Sequence, residues 1–356
     1  MLSPLPITPI ISEIIESLKL VNCAIVSAPP GSGKTTRIPP ALLDSVKGKV
    51  LLLQPRRVAA RSSAERIAFE RGCKIGEEIG YRVRFESKSG PNTRLEVLTE
   101  GLLMRMMQSD PTLEGIDVVV LDEFHERSLH SDMALAMLAE IQREIRDDLK
   151  IVVMSATLDA EPIQNFLGGP ERCPSFEATG RAFEVDLFYD TLQDSRNIED
   201  RVVSAVLSEL KHSDTGHILV FLPGAGEIDR SISRLSERVS KDVEILPLHG
   251  RLTSKAQDKA IAPSKHQRVI LATNVAETSI TIDGVTCVID SGLARRARYD
   301  PKIGISRLEL SQTSQASTTQ RTGRAGRTAA GRCRRLWTKP EQAFRDKFDP
   351  PEVASS

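Results

Sequence analysis

The sequence predicts an α/β protein of two tandem domains, each a mostly parallel sheet covered by helices, with a β-hairpin inserted in the second. Three observations predict it. Short runs of β-branched and aliphatic residues recur along the chain, helical periodicity fills the intervals, and the whole pattern occurs twice. A length of 356 residues allows two cores of ordinary size.

In the first half the runs are CAIVSA (23–28), KVLLLQP (49–55), DVVVLDE (117–123) and KIVVMSAT (150–157). Each is too short for a buried helix and too uniformly apolar for a half-exposed strand, so each reads as a central strand covered on both faces. Between them, SDMALAMLAEIQREIRDDL (131–149) predicts a helix whose apolar face is Met133, Met137, Ile141 and Ile145, every fourth residue. The second half offers HILVFLPG (217–224), VEILPLHG (243–250), RVILATN (268–274) and TCVIDSG (286–292). There, RARYDPKIGISRLEL (296–310) reads as a hairpin around Pro301–Gly304. The expected domains are 1–177 and 178–340, with 341–356 opening a following region. The join falls near EATGRAFEVDLFYD (177–190), where Gly180 precedes an alternating run.

Composition narrows the function classes. The 48 basic and 48 acidic residues cancel, so any nucleic-acid surface is a local groove and not a general positive field. Aromatic residues at 4%, with one Trp, argue against a protein built mainly to stack bases. Cys23, Cys73, Cys173, Cys287 and Cys333 are widely spaced with no CxxC pair, which argues against a structural zinc site and suits a reducing cytoplasm. The start, MLSPLPITPIISEII, is broken by prolines and carries Glu13 and Glu16, unlike a signal peptide. No apolar run reaches membrane-spanning length. A cytoplasmic monomer without membrane contact is expected.

The chemistry lies in three motifs. The first strand runs into Ala28-Pro29-Pro30-Gly31-Ser32-Gly33-Lys34-Thr35-Thr36, a phosphate-binding loop with Ala28 in place of the usual first glycine. Gly31 and Gly33 let the backbone curl its N–H groups toward phosphates, Lys34 adds charge, and the Thr35 hydroxyl can ligate Mg²⁺. Next, VVVLDEFHERS (118–128) delivers Asp122 and Glu123 to the C-terminal edge of a strand, where open α/β sheets bind ligands. One carboxylate can serve the Mg²⁺ shell while its neighbour accepts a proton from an attacking water. Finally, in TTQRTGRAGRTAAGR (318–332) Arg321, Arg324 and Arg327 recur every third residue, with Gly323 and Gly326 before the last two. On a short helix that spacing turns the guanidinium groups toward one side, and the glycines let something approach closely.

GSGKT, DEFH, SAT and QRTGRAGR, in this order, resemble the superfamily 2 helicases of the DEAH type. LDEFHERSL (121–129), with Phe124 at the DEAH alanine, and KIVVMSATLD (150–159) resemble the bacterial HrpB helicases most closely, and the resemblance spans the chain. It implies two RecA-like domains, an ATP-dependent RNA helicase activity, and ATP with Mg²⁺ between the domains. Position by position it implies Pro30, Gly31, Ser32, Gly33, Lys34, Thr35 and Thr36 on the nucleotide phosphates. Thr35, Asp122 and Glu123 fall at the metal and the water. His125, with Ser155 and Thr157, would couple nucleotide state to the second domain. Gln320 would orient water or phosphate, Arg324 and Arg327 would act as arginine fingers on the γ-phosphate, and Asp283 would meet the ribose. Arg66 matches the arginine that covers the adenine, but no aromatic residue near Ile261 completes that sandwich.

The resemblance also implies a single-stranded nucleic-acid partner. It gives Arg56 and Arg57 (in QPRRVAA), Arg84 (in GYRVRFE), Thr99 (in TEG), and Thr273, Asn274 and Thr278 (in TNVAETS) as contacts. Arg332, Arg334 and Arg335 read instead as a basic helix against nucleic-acid backbone. Relatives continue beyond the equivalent of FDPPEV, so the chain is expected to be a fragment or a truncated form of a longer protein. Two other classes compete: a nucleotide switch, opposed by the absence of an NKxD guanine motif, and a binding module with a vestigial site, opposed by the full set of catalytic side chains.

Overall fold

The computed structural model describes residues 5–156, 160–178, 183–191, 194–212, 216–277, 282–300, 305–327 and 329–355. The expected join at Gly180, the hairpin tip Pro301–Gly304, Thr157 and Thr278 lie outside the described residues. The chain divides into two compact units, Met1–Arg181 with Pro351–Val353, and Ala182–Pro350 with Ala354–Ser356.

In the first unit the strands are β1 (Cys23–Ser27), β2 (Lys49–Gln54), β3 (Ile79–Val83), β4 (Glu86–Lys88), β5 (Leu95–Thr99), β6 (Ile116–Leu121), β7 (Lys150–Ser155) and β8 (Ser175–Glu177). They form one sheet in the order β4-β3-β5-β2-β6-β7-β1-β8. Every pairing is parallel except β3 with β4. The uniformly apolar runs have the predicted cause. Ala24 and Val26 of β1, Val118 and Val120 of β6, and Val152 and Met154 of β7 enter one core. Cys23 and Ile25, Val119 and Leu121, and Ile151 and Val153 enter another on the opposite face. Each valine, leucine, isoleucine or methionine among them contributes about 1.5–3 kcal/mol of burial.

The helices of this unit are α1 (Ile11–Leu20), α2 (Lys34–Ser45), α3 (Arg57–Arg71), α4 (Glu100–Ser109), α5 (Leu129–Glu144) and α6 (Glu161–Phe166). The predicted helix at 131–149 is therefore α5, starting earlier and ending sooner. Its expected apolar face is corrected. Met133 (43% exposed) and Ile145 (57%) face outward, and the buried stripe is Ala134, Leu135, Leu138 and Ile141. A strict four-residue step rotates about 40° per repeat against the 3.6-residue helix, so the predicted row winds off any one face. Ser128 caps the helix by accepting from Ser131 N–H at 2.9 Å.

The second unit repeats the plan. Its strands β9 (Val185–Tyr189), β10 (His217–Phe221), β11 (Glu244–Leu248), β12 (Arg268–Ala272), β13 (Val285–Asp290), β14 (Leu293–Asp300), β15 (Ile305–Gln312) and β16 (Gly331–Arg335) alternate with α7 (Ile198–Glu209), α8 (Ala225–Ser236), α9 (Ser254–Ile261), α10 (Gln315–Thr322) and α11 (Lys339–Ala343). The sheet order is β11-β12-β10-β13-β16-β9, all parallel. β14 and β15 form the expected antiparallel hairpin, from Leu293 opposite Gln312 to Asp300 opposite Ile305.

Arg332, Arg334 and Arg335 require a correction, because they lie on strand β16 and not on a helix. Alternation along the strand turns Cys333 and Arg335 inward. Arg335 is buried, donates to the Tyr189 hydroxyl at 2.5 Å, and stacks against Tyr189 and Trp337. It is a core arginine of the sheet.

Candidate active site

The parallel strand order brings the motifs of the first unit to one sheet edge. β1 leads into the 28–33 loop, β2 into Arg56, β5 into Thr99, β6 into Asp122 and β7 into Ser155. Crevices at the C-terminal ends of parallel strands are where open α/β sheets bind ligands.

Gly31 (φ 80°) and Gly33 (φ 91°) take left-handed conformations that would strain a side chain, and α2 begins directly after Gly33. Ala28 N–H donates to Ser155 O at 3.0 Å and Ile7 N–H to Ser32 O at 3.1 Å, fixing the loop from both sides. A Cβ on Gly33 would also crowd Leu5, 2.5 Å from its flexible Cδ1 and 3.1 Å from its Cβ. The Ser32 hydroxyl is buried without a hydrogen-bond partner. A buried orphan donor on a loop that opens a helix fits an anionic oxygen.

Lys34 and Thr35, the first residues of α2, meet the carboxylates that follow β6. Thr35 Oγ1 donates to Asp122 Oδ2 at 2.5 Å, and Gln54 Nε2 donates to the same oxygen at 2.7 Å. Glu123 N–H donates to Asp122 Oδ1 at 2.9 Å. Burial pushes the Asp122 carboxyl above its ordinary range, as does neighbouring Glu123, while Lys34, Thr35 and Gln54 oppose the rise. Glu123 sits at φ 52°, a strained conformation for a non-glycine residue, with Lys34 Nζ 3.6 Å from its carboxylate.

A single 3₁₀ turn, Phe124–Glu126, follows and is anchored by buried Phe124. Ala156 N–H donates to His125 Nδ1 at 3.4 Å, with Ser155 Oγ 3.3 Å and Glu123 Oε2 3.6 Å from the same nitrogen. His125 Nε2 is buried without a partner. The histidine thus joins the carboxylate turn to the end of β7.

In the second unit the arginine comb is corrected. Only Arg321 lies on a helix, at the end of α10, while Arg324 and Arg327 follow in the turn beyond it. Spacing by three aligns side chains only while the helix continues, and this one stops at Thr322. Arg321 is buried at 1% exposure, donates through Nε to Glu277 Oε2 at 2.8 Å and through Nη1 to Asp290 Oδ1 at 2.9 Å, and lies over the Phe221 ring. Burial works against its charge, but Asp290 and Glu277 more than offset this and hold it firmly protonated. Arg324 is buried with Nε donating to Glu277 O at 2.8 Å, Gln320 is buried beside them, and Arg327 is half-buried. What approaches Gly326 is the chain itself: a Cβ there would lie 2.6 Å from Phe183 O.

The remaining candidates divide. Arg56 is half-buried with Nη2 2.9 Å from Glu126 Oε2, and Arg57 is exposed at the start of α3. Arg84 covers the ring of Phe85, which is 87% exposed at the tip of the β3–β4 turn. Thr99 is the N-cap residue of α4. Thr273 caps the short turn Asn274–Ala276, on which Asn274 is exposed. Arg66, on α3, pairs with Glu70 at 2.6 Å, and Asp283 is exposed just before β13. Sequence reasoning missed Gln54 and Glu277. Gln54 reaches Asp122 only because β2 and β6 are sheet neighbours, with Leu53 opposite Leu121. Glu277 lies within TNVAETS, where the hydroxyl residues and Asn274 carry the signal for nucleic-acid contact.

Comparison with known proteins agrees with this geometry. Residues 8–166 match the DEAD/DEAH box helicase family and residues 201–329 the helicase conserved C-terminal domain. The chain carries a DEAD/DEAH box helicase domain and a helicase conserved C-terminal domain. Across its full length it is 44% identical to the ATP-dependent RNA helicase HrpB of Escherichia coli (strain K12), of which it spans 44%. A crystal structure of the Escherichia coli DEAH/RHA helicase HrpB superposes with a TM-score of 0.91 at 44% identity, covering 99% of this chain and 45% of that one. A second, of the Escherichia coli DExH-box NTPase HrpB, gives 0.85 at 44% identity over 100% and 44% of the two chains. Both units of the chain are RecA-like domains. Among the described residues no helix is long and apolar enough to cross a membrane.

Proposed function

We propose that the chain is the core of an ATP-dependent RNA helicase, a motor that hydrolyses ATP while moving on a single strand in the cytoplasm. Supporting this reading above all is the meeting of Lys34 and Thr35 with Glu123 and Asp122. It joins a phosphate-binding loop to a pair of carboxylates in different environments. The loop 30–36 binds the phosphates, with Lys34 supplying charge and the Ser32 hydroxyl a free donor. Thr35 and Asp122 offer the oxygen ligands that suit Mg²⁺, an ion held by few protein groups and by the substrate's phosphates. Bound there, the ion supplies positive charge against the phosphate oxygens. Glu123 takes the proton of the attacking water. From the second unit, Gln320, Arg324 and Arg327 stabilise the charge that develops on the transferred phosphoryl group, a contribution of about 10³–10⁵ in rate for arginine fingers. Asp283 and Arg66 hold ribose and base. Arg56, Arg57, Arg84, Thr99, Thr273, Asn274 and Thr278 follow the strand's backbone.

The test is steady-state ATP hydrolysis by this chain with Mg²⁺, with and without single-stranded RNA, beside Glu123→Gln. Hydrolysis that depends on Mg²⁺ and disappears in the variant is expected. Turnover that survives in Glu123→Gln would overturn the assignment.

A further inference from the structure

The first arginine of the QRTGRAGR motif is too deeply buried to touch a nucleotide, yet its cation is retained where an apolar side chain would fill the same space. Taking a charge out of water costs several kcal/mol unless its partners return it. The partners here come from different elements. Arg321 Nε reaches Glu277 Oε2 at 2.8 Å, while Nη1 reaches Asp290 Oδ1 at 2.9 Å and Leu293 O at 3.3 Å. Asp290 ends β13, and Glu277 follows the turn after β12. A planar guanidinium can bridge two such acceptors at fixed angles, whereas a lysine ammonium cannot hold both in that geometry.

Glu277 is fixed at both ends. Its other carboxylate oxygen accepts from Ser317 Oγ at 2.6 Å, and its N–H donates to Asn274 O at 3.0 Å. Its own carbonyl accepts from Arg324 Nε at 2.8 Å. Arg324 N–H in turn donates to Arg321 O at 3.1 Å. Arg324 is therefore aimed by a closed frame, Arg321 to Glu277 side chain to Glu277 carbonyl to Arg324, with Asp290 as its fixed post. The same Glu277 backbone continues from the Thr273–Ala276 turn, so a shift of that turn moves the carbonyl that holds Arg324.

We infer that Arg321 is a positioning residue for Arg324, acting through Glu277. This rests on the proposed role of Arg324 in hydrolysis. Catalytic side chains must be held within about 0.5 Å of the productive geometry by such supports.

The experiment compares the full chain as Arg321→Lys, Glu277→Gln, Arg324→Ala and the double variant Arg321→Lys/Arg324→Ala, reading kcat, KM for ATP and the melting temperature. Arg321→Lys and Glu277→Gln should lower kcat by ~10-fold or more with KM little changed, since misplacement by 1 Å can cost ~10²-fold. The double variant should be no slower than Arg324→Ala alone, the non-additivity expected of residues acting in series. A purely structural role would lower the melting temperature and give additive losses. Normal kcat in Arg321→Lys beside a slowed Arg324→Ala would sink this inference and leave the proposed function standing. Normal kcat in Arg324→Ala would instead remove the finger role itself, and this inference with it. Should Arg321→Lys fail to fold, Glu277→Gln, which keeps the shape but removes the charge and turns one acceptor oxygen into an N–H donor, decides alone, and normal turnover in it overturns the inference.

Discussion

Lys34 stands 3.6 Å from Glu123, both side chains nearly wholly buried. The Asp122 carboxyl lies beside them with its proton affinity raised by burial. Under the proposed function this ion pair joins the cation that meets phosphate to the base that meets water, and the two roles should separate on mutation. Lys34→Ala should abolish ATP binding, because it removes the charge opposing the phosphates. Glu123→Gln should bind ATP and lower turnover by ~10²-fold or more, the usual contribution of a general base. Binding of a fluorescent ATP analogue beside steady-state turnover checks both, and equal loss of binding in the two variants would contradict the division of labour.

Arg324→Ala and Arg327→Ala should each lower kcat by at least ~10²-fold while ATP affinity changes far less, because in the proposed function they serve charge that exists only in the transition state. Loss of affinity with kcat intact would make them ground-state binding residues.

Arg56→Ala and Arg84→Ala should weaken RNA binding equally on unrelated sequences, since phosphate contacts carry no sequence information. Each lost contact should reduce the slope of log affinity against log salt by about 0.7 for a single strand. The two differ in their resting partners, a carboxylate on Glu126 for Arg56 and the ring of Phe85 for Arg84. Slopes unchanged in both variants would exclude them from the footprint.

Glu100 gives a pH dependence. Burial raises its carboxyl to about 7, Ser128 opposes the rise, and Glu126, Glu352 and Asp132 add to it. A carboxyl raised in the folded state is harmless while protonated, so its contribution to stability is fullest below the unfolded value near 4.5 and is lost as pH rises toward 7. The loss is on the order of 3 kcal/mol. Wild type should lose more resistance to urea between pH 5 and pH 8 than Glu100→Gln does. Equal losses in the two proteins would show that Glu100 is not the group responsible.

Much of this was legible in the chain itself, for local reasons. Apolar runs such as VVVL before Asp122 announce buried strands, because a strand covered on both faces must be apolar at every position. Gly31 and Gly33 announce the loop, because only glycine takes those backbone angles without strain. The meeting of Lys34 and Thr35 with Glu123 and Asp122 was foreshadowed by motif chemistry, a metal ligand on the loop and another after the strand, and by the family pattern. β3 and β5 were not read, because Arg82, Glu96 and Gly80 interrupt their apolar runs.

The α/β class, the phosphate loop, the carboxylate pair and the arginine motif are each written in neighbouring residues and are legible without a structure. Only the tertiary structure decided that Gln54 shares an oxygen of Asp122 with Thr35, because that depends on β2 lying beside β6. Only it decided that Arg321, identical in type and spacing to Arg324 and Arg327, is buried between Glu277 and Asp290. Spacing along a chain fixes direction only while the helix lasts. Beyond Thr322 the neighbours are set by which strands and turns are brought alongside, and a linear pattern carries no record of those.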